Sequence, residues 1–280
     1  MLLLDPRHAH DDDHDDHGGL HRDLHQTGAA MDRRSMLRIA ARFGAALSAI
    51  QVIGCGGAET VLGTDATATV SSTCPTRVPS ETEGPYPGDG SNGPNVLSST
   101  GIVRSDIRTS FAGLSGTATG VPLNIRLTLV SASTCAPLAG YAVYLWHCDR
   151  AGNYSLYSSG FTNQNYLRGV QAADSNGVVT FQSIYPGCYS GRWPHIHFEV
   201  YRSLAQATAV SNKIATSQIA LPLTANTLVY AASGYEASVT NQSRITLASD
   251  NVFSDGASLE LATITGDVSS GMTAALTVGI

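Results

Sequence analysis

The sequence predicts an all-β protein, a two-sheet β-sandwich with long loops. Three observations lead there. Apolar and β-branched residues fall in short runs at close spacing, and Gly, Asn, Asp or Pro punctuates them, with 28 Gly and 11 Pro in 280 residues. No segment sustains a 3.6-residue period, and no internal repeat is visible. Hydrophobic residues make up 42% of the chain and charged ones only 14%, so a sizeable core can be buried.

The elements follow in order. Residues 124–130 (NIRLTLV) alternate apolar with polar side chains, the pattern of a strand with one buried face. Thr134-Cys135-Ala136-Pro137 makes a turn, and 141–146 (YAVYLW) is a second strand. Further strands are expected at 177–184, 195–201, 216–220, 258–264 and 273–278, with 202–256 supplying longer loops. The domain organisation that results has three parts. Residues 1–54 are expected to form an Asp/His-rich tail and export signal, 55–74 a flexible linker, and 75–280 one β-sandwich domain.

The first part carries its own signals. Residues 5–25 are a low-complexity Asp/His tract, read as a solvated tail. Met31 opens a second candidate start, followed by Arg33-Arg34 and an apolar run too short to span a bilayer. Twin arginines ahead of such a run resemble a Tat export signal. Val52-Ile53-Gly54-Cys55 resembles a bacterial lipobox, in which Cys55 is lipidated and becomes the mature N-terminus. The expectation is a periplasmic or extracellular protein, lipid-anchored at Cys55 and touching the membrane only there.

Removal of residues 1–54 leaves 14 acidic against 10 basic residues, a charge of −4, and three of the nine histidines: His147, His195 and His197. An acidic chain gives no electrostatic footing for a nucleic-acid partner. With Cys55 assigned to lipid, Cys74, Cys135, Cys148 and Cys188 form an even set in an oxidising compartment. Three pairings are open, and we expect Cys74 with Cys135 and Cys148 with Cys188.

The chemistry gathers around 192–200 (RWPHIHFEV). In a strand His195 and His197 point to one face, with Cα atoms about 6.5–7 Å apart, so both imidazoles can reach one metal ion. Glu199 shares that face and is a candidate third ligand. Two turns at strand ends present tyrosines: Tyr154 after Trp146-His147-Cys148-Asp149, and Tyr189 in Tyr185-Pro186-Gly187-Cys188-Tyr189.

Trp, then Tyr eight residues on, then Pro-Gly-x-Tyr, then Arg three residues before His-x-His, resembles the intradiol ring-cleavage dioxygenases. It is similar in particular to their secreted branch and to the catalytic core of protocatechuate 3,4-dioxygenase and catechol 1,2-dioxygenase. The resemblance spans about 74–280 and includes TEGPY at 82–86, NYLRG at 165–169 and TSQIALP at 216–222. It implies a non-haem Fe(III) cofactor held by Tyr154, Tyr189, His195 and His197. It further implies O2 and a catechol-type substrate, opened between its hydroxyls to a cis,cis-muconate-type product. Arg192, Tyr189 and Gln218 take the catalytic roles, Arg192 facing the substrate and Tyr189 taking a proton. Tyr86 and Arg168 fall in motifs near the pocket. Cys188 stands where relatives often carry Trp, so the pocket wall departs from the family there.

Ferric iron suits this set, because phenolate oxygens are hard anionic donors and imidazoles complement them. Two readings from other classes remain open at this point. One is a non-enzymatic, lipid-anchored β-sandwich binding module. The other is a cupin-type metal enzyme, which would need His147 as its third histidine. Catechol, protocatechuate, hydroxyquinol and lignin-derived catechols all fit a chelating diol. The scarcity of positive charge disfavours a strongly anionic one. Nothing in the sequence fixes an oligomeric state, and a homo-oligomer remains open.

Overall fold

In β1 (Pro122–Val130) Leu123, Ile125, Leu127 and Leu129 are all buried while the residues between them are exposed or half-buried. That alternation makes a strand with one wet face. β2 (Ala142–Trp146) and β5 (His195–Tyr201) are buried at every position. These are the two extremes on which the fold is built. The computed structural model describes residues 74–280. The Asp/His tract, the twin arginines, Cys55 and the expected linker up to residue 73 lie outside the described residues.

The other strands are β3 (Arg168–Ala172), β4 (Val178–Ile184), β6 (Ala215–Ala220), β7 (Thr263–Asp267) and β8 (Gly271–Gly279). They pair into two four-stranded sheets, in the orders β4-β1-β8-β7 and β3-β2-β5-β6. All pairings are antiparallel except β1 with β8. Between the sheets Ile125, Leu127 and Phe181 meet Val143, Leu145, Ile196, Phe198 and Ile219 in the main core. At about 1.5–3 kcal/mol for each large apolar side chain fully buried, this layer supplies most of the drive to fold.

The second sheet has another covered face. There Tyr144 and Trp146 pack with Val96, Leu97, Ile102, Phe111 and Tyr154, contributed by the segments before β1 and after β2. On β5, Ile196, Phe198 and Val200 face the inter-sheet core, which leaves His195, His197 and Glu199 on this outer face. A face roofed by loops instead of by another sheet leaves room for polar side chains in a dry setting.

Several expectations need correcting. Cys74 and Cys135 are bonded, but Cys148 and Cys188 are both free thiols. Cys148 belongs to the outer layer and Cys188 to the inter-sheet core, and each thiol points to a backbone carbonyl, Gly187 O and Arg192 O respectively, both at 3.5 Å. β3 was not anticipated, because RGVQA is five residues long with a glycine inside it. The strand expected at 258–264 begins only at Thr263. The 202–256 stretch is not all loop, since it holds α1 (Leu223–Tyr230) and α2 (Glu236–Gln242). Two turns of helix are too short to show a period. Among the described residues no helix is long and apolar enough to cross a membrane.

Candidate metal centre

The site is built where three segments meet on the outer face of the second sheet. β5 supplies His195 and His197, and the pairing of Trp146 with His197 places the indole flat against the imidazole, 3° between planes at 4.9 Å. The turn after β2 and the turn before β5 are joined by Gly187 N donating to Asp149 O at 2.9 Å. A Cβ at Gly187 would sit 2.5 Å from Arg150 O, so only glycine lets the two turns approach. That approach delivers Tyr154 and Tyr189 to the same point from different loops.

Four donor atoms converge there. His195 Nε2 and His197 Nε2 are 3.1 Å apart, Tyr189 Oη is 3.2 Å from His195 Nε2, and Tyr154 Oη is 3.2 Å from His197 Nε2. Ligands on a first-row metal with bonds of about 2 Å are separated from one another by about 3 Å, so the spacing suits one ion. Tautomer and burial agree. His195 Nδ1 faces Trp193 O, a pure acceptor, so Nδ1 carries the proton and Nε2 presents a lone pair to the cluster. His197 Nδ1 has no hydrogen-bond partner among the described residues. Burial pushes both imidazoles well below their ordinary range, with Arg192 adding repulsion, which keeps them neutral as ligands must be. Burial likewise pushes the Tyr154 phenol up, so a phenolate there depends on a cation at the site. The donor set therefore fits a hard, highly charged ion such as Fe(III).

Other candidates resolve by their partners. The Glu199 carboxylate accepts from Tyr201 Oη at 2.7 Å and Lys213 Nζ at 3.0 Å, in a separate group with Glu83 and Asp89. It is engaged away from the histidines. His147 uses both ring nitrogens, on Cys148 O at 2.7 Å and Ser183 Oγ at 2.6 Å, and is a core histidine. The third histidine that a cupin-type site needs is thus committed elsewhere.

Arg192 lies beside the donors with Nη1 3.5 Å from His195 Nε2, and it is 2% exposed. Its Nη2 donates to Gln218 Oε1 at 2.7 Å, and Gln218 Nε2 donates to Thr82 O at 2.8 Å. Gln218 thus ties Arg192 to the strap that contains TEGPY. Gly84 of that strap has φ +68, and a Cβ there would meet His197 Cε1 at 3.3 Å. The Tyr86 ring lies 4.9 Å from that of Tyr154, tilted by 34°. Arg168 anchors the strap from below through Tyr86 O and Pro87 O. Cys188 packs in the main core, with its thiol pushed up to about 12 by burial. Two contributors escaped the sequence reading: Trp146 as the plate under His197, and Asp250, which binds Arg192.

Residues 92–209 match the family model described as Dioxygenase. The structure is similar to an intradiol ring-cleavage dioxygenase from Tetranychus urticae, at 27% identity, 73% of this chain, 94% of that chain and a TM-score of 0.58. Residues 74–280 are thus similar in fold to an intradiol ring-cleavage dioxygenase. A second solved dioxygenase matches it at 27% identity, 74% and 94% coverage and a TM-score of 0.58. No curated protein matches the chain. The match to the Dioxygenase model spans the β2 and β5 segments and thus all four converging donors, whereas Gln218 and Asp250 lie beyond it.

Proposed function

We propose that the domain opens a catechol-type ring between its two hydroxyls with O2, placing both oxygen atoms in a cis,cis-muconate-type dicarboxylate, with non-haem Fe(III) held by Tyr154, Tyr189, His195 and His197. The observation that carries this reading is the convergence of two imidazole nitrogens and two phenol oxygens at spacings of 3.1 to 3.2 Å. Bound there, ferric iron would act as Lewis acid and template for the diol and O2.

The chain's own residues do the rest. Tyr189 is the more exposed of the two tyrosines, half-buried where Tyr154 is 1% exposed, so its Oη is the one placed to take a proton from an incoming diol. Tyr154, fixed under Tyr86 and beside His197, stays in place. Arg192 Nη1 stabilises negative charge that develops on the substrate, in a dry site where such a contact is strong. The Trp146 indole under His197 and the strap over it exclude water from one side.

The charge balance supports an uncharged catechol. Arg192 is paired with Asp250 at 3.0 Å, which leaves little positive charge for a substrate carboxylate. Export belongs to the same proposal, as a periplasmic or extracellular, lipid-anchored protein. It is supported by the twin-arginine and lipobox-like sequence and by the Cys74–Cys135 bond, of a kind that persists in oxidising compartments.

The test is oxygen uptake by the purified, iron-loaded protein across a panel of catechols, with product identification. Catechol should give the muconate-type diacid and outpace protocatechuate. A product cleaved beside the hydroxyls, or a protein that stays colourless after ferric loading, overturns the proposal.

A further inference from the structure

Asp250 stands on none of the strands, in a stretch outside the family match, and touches no member of the donor cluster. It is nonetheless fully buried. Oδ2 accepts from Arg192 Nε at 3.0 Å and from Trp193 N at 2.6 Å. Oδ1 accepts from Val252 N at 2.9 Å and Phe253 N at 3.1 Å, capping the short turn that follows. One carboxylate therefore holds two things: the segment just before the histidine strand, and the turn carrying Phe253. The Phe253 ring lies 6.4 Å from that of His195 and 5.9 Å from the Arg192 guanidinium.

A guanidinium is a planar fork, so two fixed corners determine the third. The Nε corner of Arg192 is fixed by Asp250 and the Nη2 corner by Gln218. Nη1 is the corner left over, and it is the one 3.5 Å from His195 Nε2. With Gln218 alone, a single bond would leave the fork free to pivot about it. We propose that Asp250 is a positioning residue for ring opening, which locks the Arg192 guanidinium so that Nη1 faces the reacting diol. The inference rests on the function proposed above. It extends the machinery beyond the family-matched residues, into a stretch that reads from sequence as loop.

Two variants separate this role from capping. Asp250→Asn keeps the shape but removes the charge that pairs with Arg192 and sets an NH2 against N–H groups, either those of Arg192 and Trp193 or those of Val252 and Phe253. Asp250→Ser keeps a hydroxyl suited to capping the Phe253 turn but is too short to reach Arg192. In the iron-loaded full chain with catechol as substrate, both should bind iron and keep the tyrosinate absorption. Both should lose about ten-fold or more in kcat/KM, chiefly in kcat, because the misplaced group acts on charge that develops during reaction. In an Arg192→Ala background either substitution should cost less than about two-fold, since the residue it positions is gone.

A folded Asp250→Ser variant with kcat/KM within about two-fold of wild type overturns the proposal, as does full additivity with Arg192→Ala. If neither variant folds, the residue is structural and the proposal also falls. A wild type that binds no iron and opens no catechol overturns the proposed function itself. An active wild type with unaffected variants overturns only the role of Asp250.

Discussion

Replacing Arg168 with Met tests how the strap over the donors is held. Arg168 is 1% exposed, and its guanidinium donates to Tyr86 O at 3.0 Å, Pro87 O at 2.7 Å and Ser155 O at 2.9 Å. Met keeps most of the stem volume and removes every donor. Pro87 O retains a partner, because Tyr144 Oη donates to it at 2.6 Å. Tyr86 O and Ser155 O are left without their guanidinium partner. At about 1–3 kcal/mol for a buried group left unsatisfied, the loss at Ser155 O alone should be about 2 kcal/mol. Urea unfolding followed by tryptophan fluorescence measures it. Because the same bonds hold Tyr86 over Tyr154, kcat/KM on catechol should fall too. Arg168→Lys should recover less than half of the stability, since one ammonium cannot reach carbonyls on both segments. A stability loss under about 1 kcal/mol with kcat/KM within about two-fold of wild type would refute the reasoning.

Three other substitutions probe neighbouring features. Gly84→Ala forces a left-handed backbone on a Cβ that presses His197; it should cost about 1 kcal/mol in backbone strain and weaken iron retention under dialysis against chelator, and unchanged retention would contradict the contact. Glu260 is fully buried, Ser217 Oγ bonds one of its oxygens, and burial raises its pKa from 4.5 to about 8. Its contribution to stability is therefore complete below 4.5 and is lost as pH rises through about 8. Melting temperature should fall from mildly acidic to mildly alkaline pH, and Glu260→Gln should flatten that fall; an identical slope in the variant counts against the assignment. Removing the Cys74–Cys135 bond, which closes a separation of 61 residues, should cost about 4 kcal/mol by loop entropy, and a measured loss under about 1 kcal/mol would show that the unfolded chain is not constrained that way.

Much of the fold was legible because the first sheet shows its burial pattern in the sequence. NIRLTLV alternates, and the structure buries the residues that the alternation marks. The second sheet was harder to read, because β2 and β5 are covered on both sides and neither leaves an exposed face to mark its burial pattern. β5 was legible through its residue types, and β3 was not, since a glycine beside a buried arginine carries no strand signal. The site was legible where chemistry is local. His195 and His197 share a face by parity alone, and the tyrosine turns carry the family's spacing. Asp250 could not be found that way, as it lies 58 residues from Arg192 and the contact exists only after folding. Cys148 and Cys188 misled for a similar reason. An even cysteine count says nothing about which layer each thiol occupies.

The two-sided burial of β5 makes its register self-checking. A slip of one residue against β2 and β6 would turn His195, His197 and Glu199 into the inter-sheet core and put Ile196, Phe198 and Val200 among the tyrosines. Three polar groups would lose their partners, and the slipped strand would have nothing to offer an iron ion. The native pairing alone satisfies both faces at once. Iron loaded during folding would therefore select correctly paired chains, so refolding yield, as well as activity, should depend on the metal.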